Sequence, residues 1–157
     1  MAAARVLILG GAGVFGARLA HELLDTTAAA LVLAGRDVSR VRRASAALDP
    51  ARCTPLALDL ADRDALAQAV AGCAAVACCA GPFQDLDPRV VRTVLEAGAH
   101  WVDISDDHAW VTGLLANHAL HDAAEGTGRV LAPGCSSVPC LSGVLLRSCR
   151  ERMHDLV

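Results

Sequence analysis

Gly11, Gly13 and Gly16 stand in the spacing G-x-G-x-x-G, within Gly11-Ala12-Gly13-Val14-Phe15-Gly16. The chemistry that fits this spacing is holding a diphosphate. Gly11 would make a tight turn, Gly13 would let the backbone approach a pyrophosphate, and Gly16 would let a helix pack on its strand. The phosphates would lie on free N–H groups at the positive end of that helix, which adds Val14 and Phe15 as backbone contacts. Each favourable charge there is worth about 0.3–1 kcal/mol. The competing reading is a loop that serves packing alone. Context favours the ligand: the loop follows the apolar run Arg5–Leu9 and opens a helical pattern of Phe15, Leu19, Leu23 and Leu24.

The 2′ position of a dinucleotide is read about 20 residues further on. An acidic residue there suits NAD. This chain has Ala34-Gly35-Arg36, and a guanidinium fork suits a 2′-phosphate, so NADP(H) is preferred. Asp37 follows directly and would suit a ribose hydroxyl, so NAD(H) stays open. Arg40, Arg42 and Arg43 add local positive field or form a solvated helix face, and the second reading is preferred.

Further candidates lie at the ends of later apolar runs. Asp59 belongs by the adenine or its ribose, or else caps the next helix. Cys79-Ala80-Gly81-Pro82-Phe83 ends a fourth run, where ligands of such sheets bind, so Ala80, Gly81 and Pro82 should border the nicotinamide. Asp103 and Asp106, with Asp107 and His108, follow a fifth run and are the candidates for a proton donor. Against that, Ser105 or Asp106 makes a good N-cap. His118, His121 and Asp122 suggest a metal, but no fourth ligand is evident, and no metal site is assigned. Cys135 and Cys140 flank the loop Ser136-Ser137-Val138-Pro139, with nothing in the sequence to depress a thiol pKa. Ser136 and Ser137 would bond cofactor or substrate, or cap the last helix.

These residues need a scaffold, and the pattern supplies one. Apolar runs at Arg5–Leu9, Leu31–Ala34, Thr54–Leu58, Ala74–Cys79, Trp101–Ile104 and Arg129–Ala132 alternate with helical stretches. The helical stretches include Val38–Leu48, Ala65–Val70, one helix over Val111–Glu125 and a last one over Leu141–Arg150. Asp87-Pro88 is a helix start, Val90, Val91, Val94 and Leu95 form its buried stripe, and Gly98 ends it. Continuous apolar strands are buried on both faces. The expectation is an α/β fold: a doubly wound parallel sheet, Rossmann-like, of about six strands with helices on both faces.

Composition narrows the function. The 157 residues suit one domain, 1–157, and 54% of them are apolar, enough for a packed core. A net charge of −3 offers no basic field, so neither nucleic acid nor an anionic membrane is an expected partner. No apolar run reaches the roughly 18 residues of a membrane span. The apolar start ends in a glycine loop rather than a cleavage site, and the seven cysteines do not suit a secreted framework, so reduced thiols and a cytoplasmic setting are expected. All 14 cations are Arg, and there is neither Lys nor Tyr. That removes the Tyr–Lys proton donor of short-chain dehydrogenases, a lysine Schiff base and a Walker-type phosphate loop.

Several segments taken together resemble one family. They are Gly10–Gly16, Leu33-Ala34-Gly35-Arg36, Ala80-Gly81-Pro82-Phe83-Gln84, Glu96–Asp107 and Ser136-Ser137-Val138-Pro139. They resemble the NADP-binding domain of the saccharopine dehydrogenase family, over about Arg5 to Leu146. The resemblance implies an oxidoreductase moving hydride at a C=N, C–N or C=C unit, with Gly11, Gly13, Gly16 and Arg36 as cofactor contacts and Gly81 and Pro82 beside the nicotinamide. Position 101, usually Tyr in relatives, is Trp here. The family also implies a second domain for substrate contacts and dimerisation, expected to be absent from residues 1–157. The partners it implies are a small-molecule substrate and a second copy in a homodimer. The other functional reading is a nonenzymatic NADP-sensing or scaffold module.

Overall fold

β1 (Arg5–Leu9) is the inner strand on which the fold is built. The computed structural model describes residues 3–150. Chain order gives α1 (Val14–Thr26), β2 (Ala30–Gly35), α2 (Val38–Ala46), β3 (Cys53–Ala57), α3 (Arg63–Val70) and β4 (Ala75–Cys78). There follow α4 (Arg89–Glu96), β5 (His100–Asp103), α5 (His108–Leu115), α6 (His118–Thr127), β6 (Leu131–Ala132) and α7 (Ser142–Arg150). All strand pairs are parallel, in the order β3-β2-β1-β4-β5-β6. This is the expected doubly wound sheet of six strands.

The two-residue period of β1 explains why helices lie on both faces. Leu7 and Leu9 enter one core, with Val76, Cys78 and Trp101 of the sheet and Leu66, Val94 and Leu114 of the helices. Ile8 points the other way, into a smaller core with Leu31, Leu33, Ala20 and Val41. A run such as Val-Leu-Ile-Leu is apolar throughout because neither face meets water. The edge strands are different. β3 is only partly buried and carries Pro55, which an edge tolerates because a missing N–H costs no central ladder bond.

α4 forms as its stripe requires: Val90, Val91, Val94 and Leu95 are all buried. Its regular turns begin at Arg89, one residue later than Asp87-Pro88 suggests, and Asp87 Oδ1 accepts from Arg89 N at 2.9 Å at that helix start. Gly98, with φ of 84°, ends it in a left-handed turn.

Two expectations about helices fail. The single helix over Val111–Glu125 is two helices: Asn117 breaks it by capping α6 through Leu120 N at 3.3 Å. Phe15 is not a core residue of α1. It is 64% exposed, and the helix buries Gly16 and Ala20 instead. Among the described residues no helix is long and apolar enough to cross a membrane.

Candidate functional site

A cleft of about 890 Å³ crosses the carboxyl ends of β1 to β4. One wall is the glycine loop, through Gly10, Ala12 and Gly13. The loop is tied to its neighbours: Gly10 N and Gly11 N both donate to Ala34 O, at 2.9 and 3.1 Å, and Gly13 N donates to Gly10 O at 2.9 Å. Sequence expectation gave the tight turn to Gly11. The structure gives it to Gly10, whose φ is +74° and whose absent Cβ would fall 2.8 Å from Cys79 O. Its signal was visible in the doublet Gly10-Gly11.

The other glycines divide by what surrounds them. A Cβ on Gly11 would meet Leu33 Cβ at 2.9 Å, and one on Gly16 would strike the Gly10 carbonyl. Both are packing positions, and neither lines the cleft. Gly13 is different. A Cβ there has one neighbour within 4 Å, Gly10 O at 3.1 Å, and otherwise faces the cleft. Gly13 is also the N-cap of α1 and supplies no side-chain cap. Among the described residues, the N–H groups of Val14, Phe15 and Gly16 meet no protein acceptor. The Val14 and Phe15 side chains are exposed outside the cleft, so any ligand contact they make is through the backbone.

The second wall carries charge. Arg36, at the end of β2, lines the cleft with Asp37 and Arg40. The Asp37 carboxylate is already engaged, capping α2 by accepting from Arg40 N at 3.0 Å. Arg40 lies on this wall rather than on an unrelated solvated face, whereas Arg42 and Arg43 do not line the cleft. Arg63 and Arg89 line it too, and sequence reasoning passed over both. Arg89 is paired with Asp87 at 2.6 Å, which holds that carboxyl below its usual range through hydrogen bonding.

Asp59 lines the cleft and is exposed. It is not the cap of α3. That role falls to Asp62, which accepts from Ala65 N at 2.9 Å, while Asp59 Oδ1 takes Ala61 N at 3.0 Å. Ala80, Gly81 and Pro82 form the far end of the cleft, beside Cys79. Burial pushes the Cys79 thiol up to about 11, so it offers no thiolate at neutral pH.

Asp103 is the main correction. It ends β5, but its side chain is 0% exposed and outside the cleft. Oδ2 accepts from Trp101 Nε1 at 2.8 Å and Trp110 Nε1 at 3.0 Å, and Oδ1 from Ser105 N at 3.0 Å and Gly134 N at 2.9 Å. Four donors occupy the lone pairs of one carboxylate, which leaves none for a reacting molecule. Asp106 is exposed, away from the cleft. The N-cap of α5 is Asp107, not Ser105 or Asp106, and it accepts from Trp110 N at 2.6 Å. His121 Nε2 lies 2.8 Å from Leu115 O, and no three-residue metal cluster occurs among the described residues.

A parallel sheet in the order 3-2-1-4-5-6, with a glycine loop opening α1 and a cleft across the carboxyl ends, defines a dinucleotide-binding α/β domain of the Rossmann type. The profile of the saccharopine dehydrogenase NADP binding domain matches residues 6–131. The chain belongs to this family.

Individual relatives agree. The chain is similar to a probable mitochondrial saccharopine dehydrogenase-like oxidoreductase of Arabidopsis thaliana, 27% identical over 91% of this chain and 34% of that protein. It is similar to the trans-acting enoyl reductase of Mycobacterium leprae (strain TN), 30% identical over 85% of this chain and 33% of that protein. Among solved structures, the apo histidine-tagged saccharopine dehydrogenase (L-Glu forming) from Saccharomyces cerevisiae superposes with a TM-score of 0.75 at 18% identity. That match covers 96% of this chain and 31% of the yeast chain, and it shows the shared fold. The chain spans about a third of the length of these relatives.

Proposed function

We propose that the cleft binds NADP(H) in preference to NAD(H), and that the chain is the cofactor-holding part of an oxidoreductase. The observation that carries this reading is Gly13: it lines the cleft at the start of α1, where a Cβ would meet one protein atom, the Gly10 carbonyl oxygen at 3.1 Å. A diphosphate would lie there against the amide end of α1. Arg36 would hold the 2′-phosphate, since Asp37 beside it is committed to capping. Asp59 would meet the adenosine half, and Ala80, Gly81 and Pro82 would border the nicotinamide.

The bound dinucleotide supplies hydride, and the protein binds, orients and shields it. The names of the relatives support hydride transfer at a C=N, C–N or C=C unit. Asp103 holds structure in this account. Asp106 stays a candidate proton donor only in so far as a substrate reaches the exposed end of β5.

The test is a fluorescence titration of the protein with NADPH beside Gly13→Val. Saturable binding by the wild type and none by a folded variant supports the reading. Equal binding by both contradicts it.

A further inference from the structure

The segment that closes the far end of the cleft is tied down from outside it. Gly81 and Pro82 line the cleft, and a single 3-10 turn, Phe83–Asp85, follows them. Phe83 and Gln84 do not line the cleft. Phe83 is buried, and its ring meets that of Trp110 on α5, with centroids 5.7 Å apart and planes tilted by 50°. Trp110 is itself held by the Asp103 carboxylate through its indole N–H. Gln84 is exposed, and its Nε2 donates to Asp107 Oδ2 at 3.0 Å. Among the described residues, this is the one hydrogen bond that joins residues 81–86 to another part of the fold.

We propose that Gln84 and Asp107 are positioning residues for the nicotinamide end of the cofactor. Their hydrogen bond, beside the Phe83–Trp110 contact, fixes how far the Gly81-Pro82 wall stands from the glycine loop. This inference rests on the cofactor reading above. Neither side chain touches the cofactor; both act through the backbone of residues 81–84. Phe83 anchors the turn by removing an aromatic ring from water, which is not directional. The hydrogen bond adds direction, because it holds only over a narrow range of distance and angle. The same carboxylate serves α5: Asp107 Oδ1 caps the helix through Trp110 N at 2.6 Å, while Oδ2 takes Gln84. One residue therefore registers the turn after β4 to the helix after β5.

A neutral donor faces a charged acceptor here, so the pair can be broken and rebuilt. Gln84→Glu would set a second carboxylate against Asp107, where 3.0 Å now separates donor from acceptor, and would push the turn off α5. Asp107→Asn keeps the helix cap, since Asn caps as well as Asp, and makes the outer atom a donor. Gln84→Glu combined with Asp107→Asn thus restores the bond with donor and acceptor exchanged. Gln84 is exposed, so its replacement leaves no buried group of its own unpaired.

The experiment titrates the full chain and its variants with two probes. One is NADPH, followed by the fluorescence of its reduced nicotinamide. The other is adenosine 2′,5′-bisphosphate, which lacks the nicotinamide and is followed by calorimetry. Gln84→Glu should lower NADPH affinity about 2- to 10-fold and shrink the fluorescence change on binding, with the bisphosphate bound as in the wild type. Gln84→Glu with Asp107→Asn should recover both NADPH readouts. A Gln84→Glu protein that binds NADPH like the wild type, with the same fluorescence change, would overturn the proposal. So would equal losses for the two probes, which mark a general distortion, or a double variant that recovers nothing. A wild type that binds neither probe would overturn the cofactor reading and this inference with it. A wild type that binds both, beside an indifferent Gln84→Glu, overturns this inference alone.

Discussion

A Cβ placed on Gly16 would run into the carbonyl oxygen of Gly10, and would also lie 2.8 Å from Gly11 Cα. The obstacle is backbone on every side, so it cannot move aside cheaply. Gly16→Ala should therefore cost stability, about 1–3 kcal/mol or more from overpacking. Gly13→Val should lose less stability than Gly16→Ala, because a Cβ there meets only the Gly10 carbonyl oxygen, at 3.1 Å. Paired thermal melts and NADPH titrations separate the two. Gly16→Ala failing on stability and Gly13→Val failing on binding is the expected pattern. A Gly13→Val protein as destabilised as Gly16→Ala would give that position mainly a packing role.

Arg36→Leu tests the reader of the 2′ position. Hydrogen bonds to a charged group are worth about 1.5–3 kcal/mol. NADPH affinity should fall by roughly 10- to 100-fold, and NADH affinity should barely change. Isothermal titration with both cofactors reads this directly. A uniform loss for both would assign Arg36 to the common part of the dinucleotide.

Asp103→Asn should damage the fold rather than any chemistry. An amide cannot accept from all four donors now around the carboxylate, and its NH₂ faces at least one of them. Leaving buried donors unpaired costs about 2–4 kcal/mol, or roughly 5–15 °C of melting temperature. Asp106→Asn, at an exposed site, should stay within about 0.5 kcal/mol of the wild type. Calorimetry of the two variants decides. An Asp103→Asn protein as stable as its parent would restore Asp103 as a chemical candidate.

These variants also mark where the sequence is legible. The glycine loop, β1, α1 and the alternation of six strands with helices follow from local pattern, because a two-residue and a 3.6-residue period are written in the chain itself. Arg36 was reachable by counting from Gly16. Asp103 was not, since its role depends on Trp110 from the following helix and Gly134 from a loop after β6. A hint was present: a buried Trp at 101 needs an acceptor for its indole N–H, and Asp103 stands two residues on. Phe15 misled because its spacing fits the core face, while the first turn of α1 lies at the mouth of the sheet. The helix break was legible in Asn117, a residue type that caps helices, but the reading of one helix over Val111–Glu125 passed over it.

Alkaline pH should weaken the fold through two cysteines on β4 and just after it. Burial pushes the Cys78 thiol up to about 12 and the Cys79 thiol up to about 11. Raised values mean that the folded state holds these protons more tightly than the unfolded one. Their stabilisation is complete below about pH 9, the unfolded value, and is lost as pH rises toward 11–12. Each unit corresponds to about 1.4 kcal/mol, so the loss is on the order of a few kcal/mol. Urea melts at pH 8 and pH 10.5 should show it, and Cys78→Ala should reduce the difference. A pH-independent midpoint would contradict it.

The central claim is that this cleft holds a dinucleotide bearing a 2′-phosphate. A thermal melt with NADPH beside NADH, each at rising concentration, tests it most directly. NADPH should stabilise the wild type by about 2.7 kcal/mol at 100-fold over its Kd, with NADH giving a clearly smaller shift at the same concentration. Equal shifts would remove Arg36 as the reader of the 2′-phosphate. No shift with either cofactor would contradict the site itself.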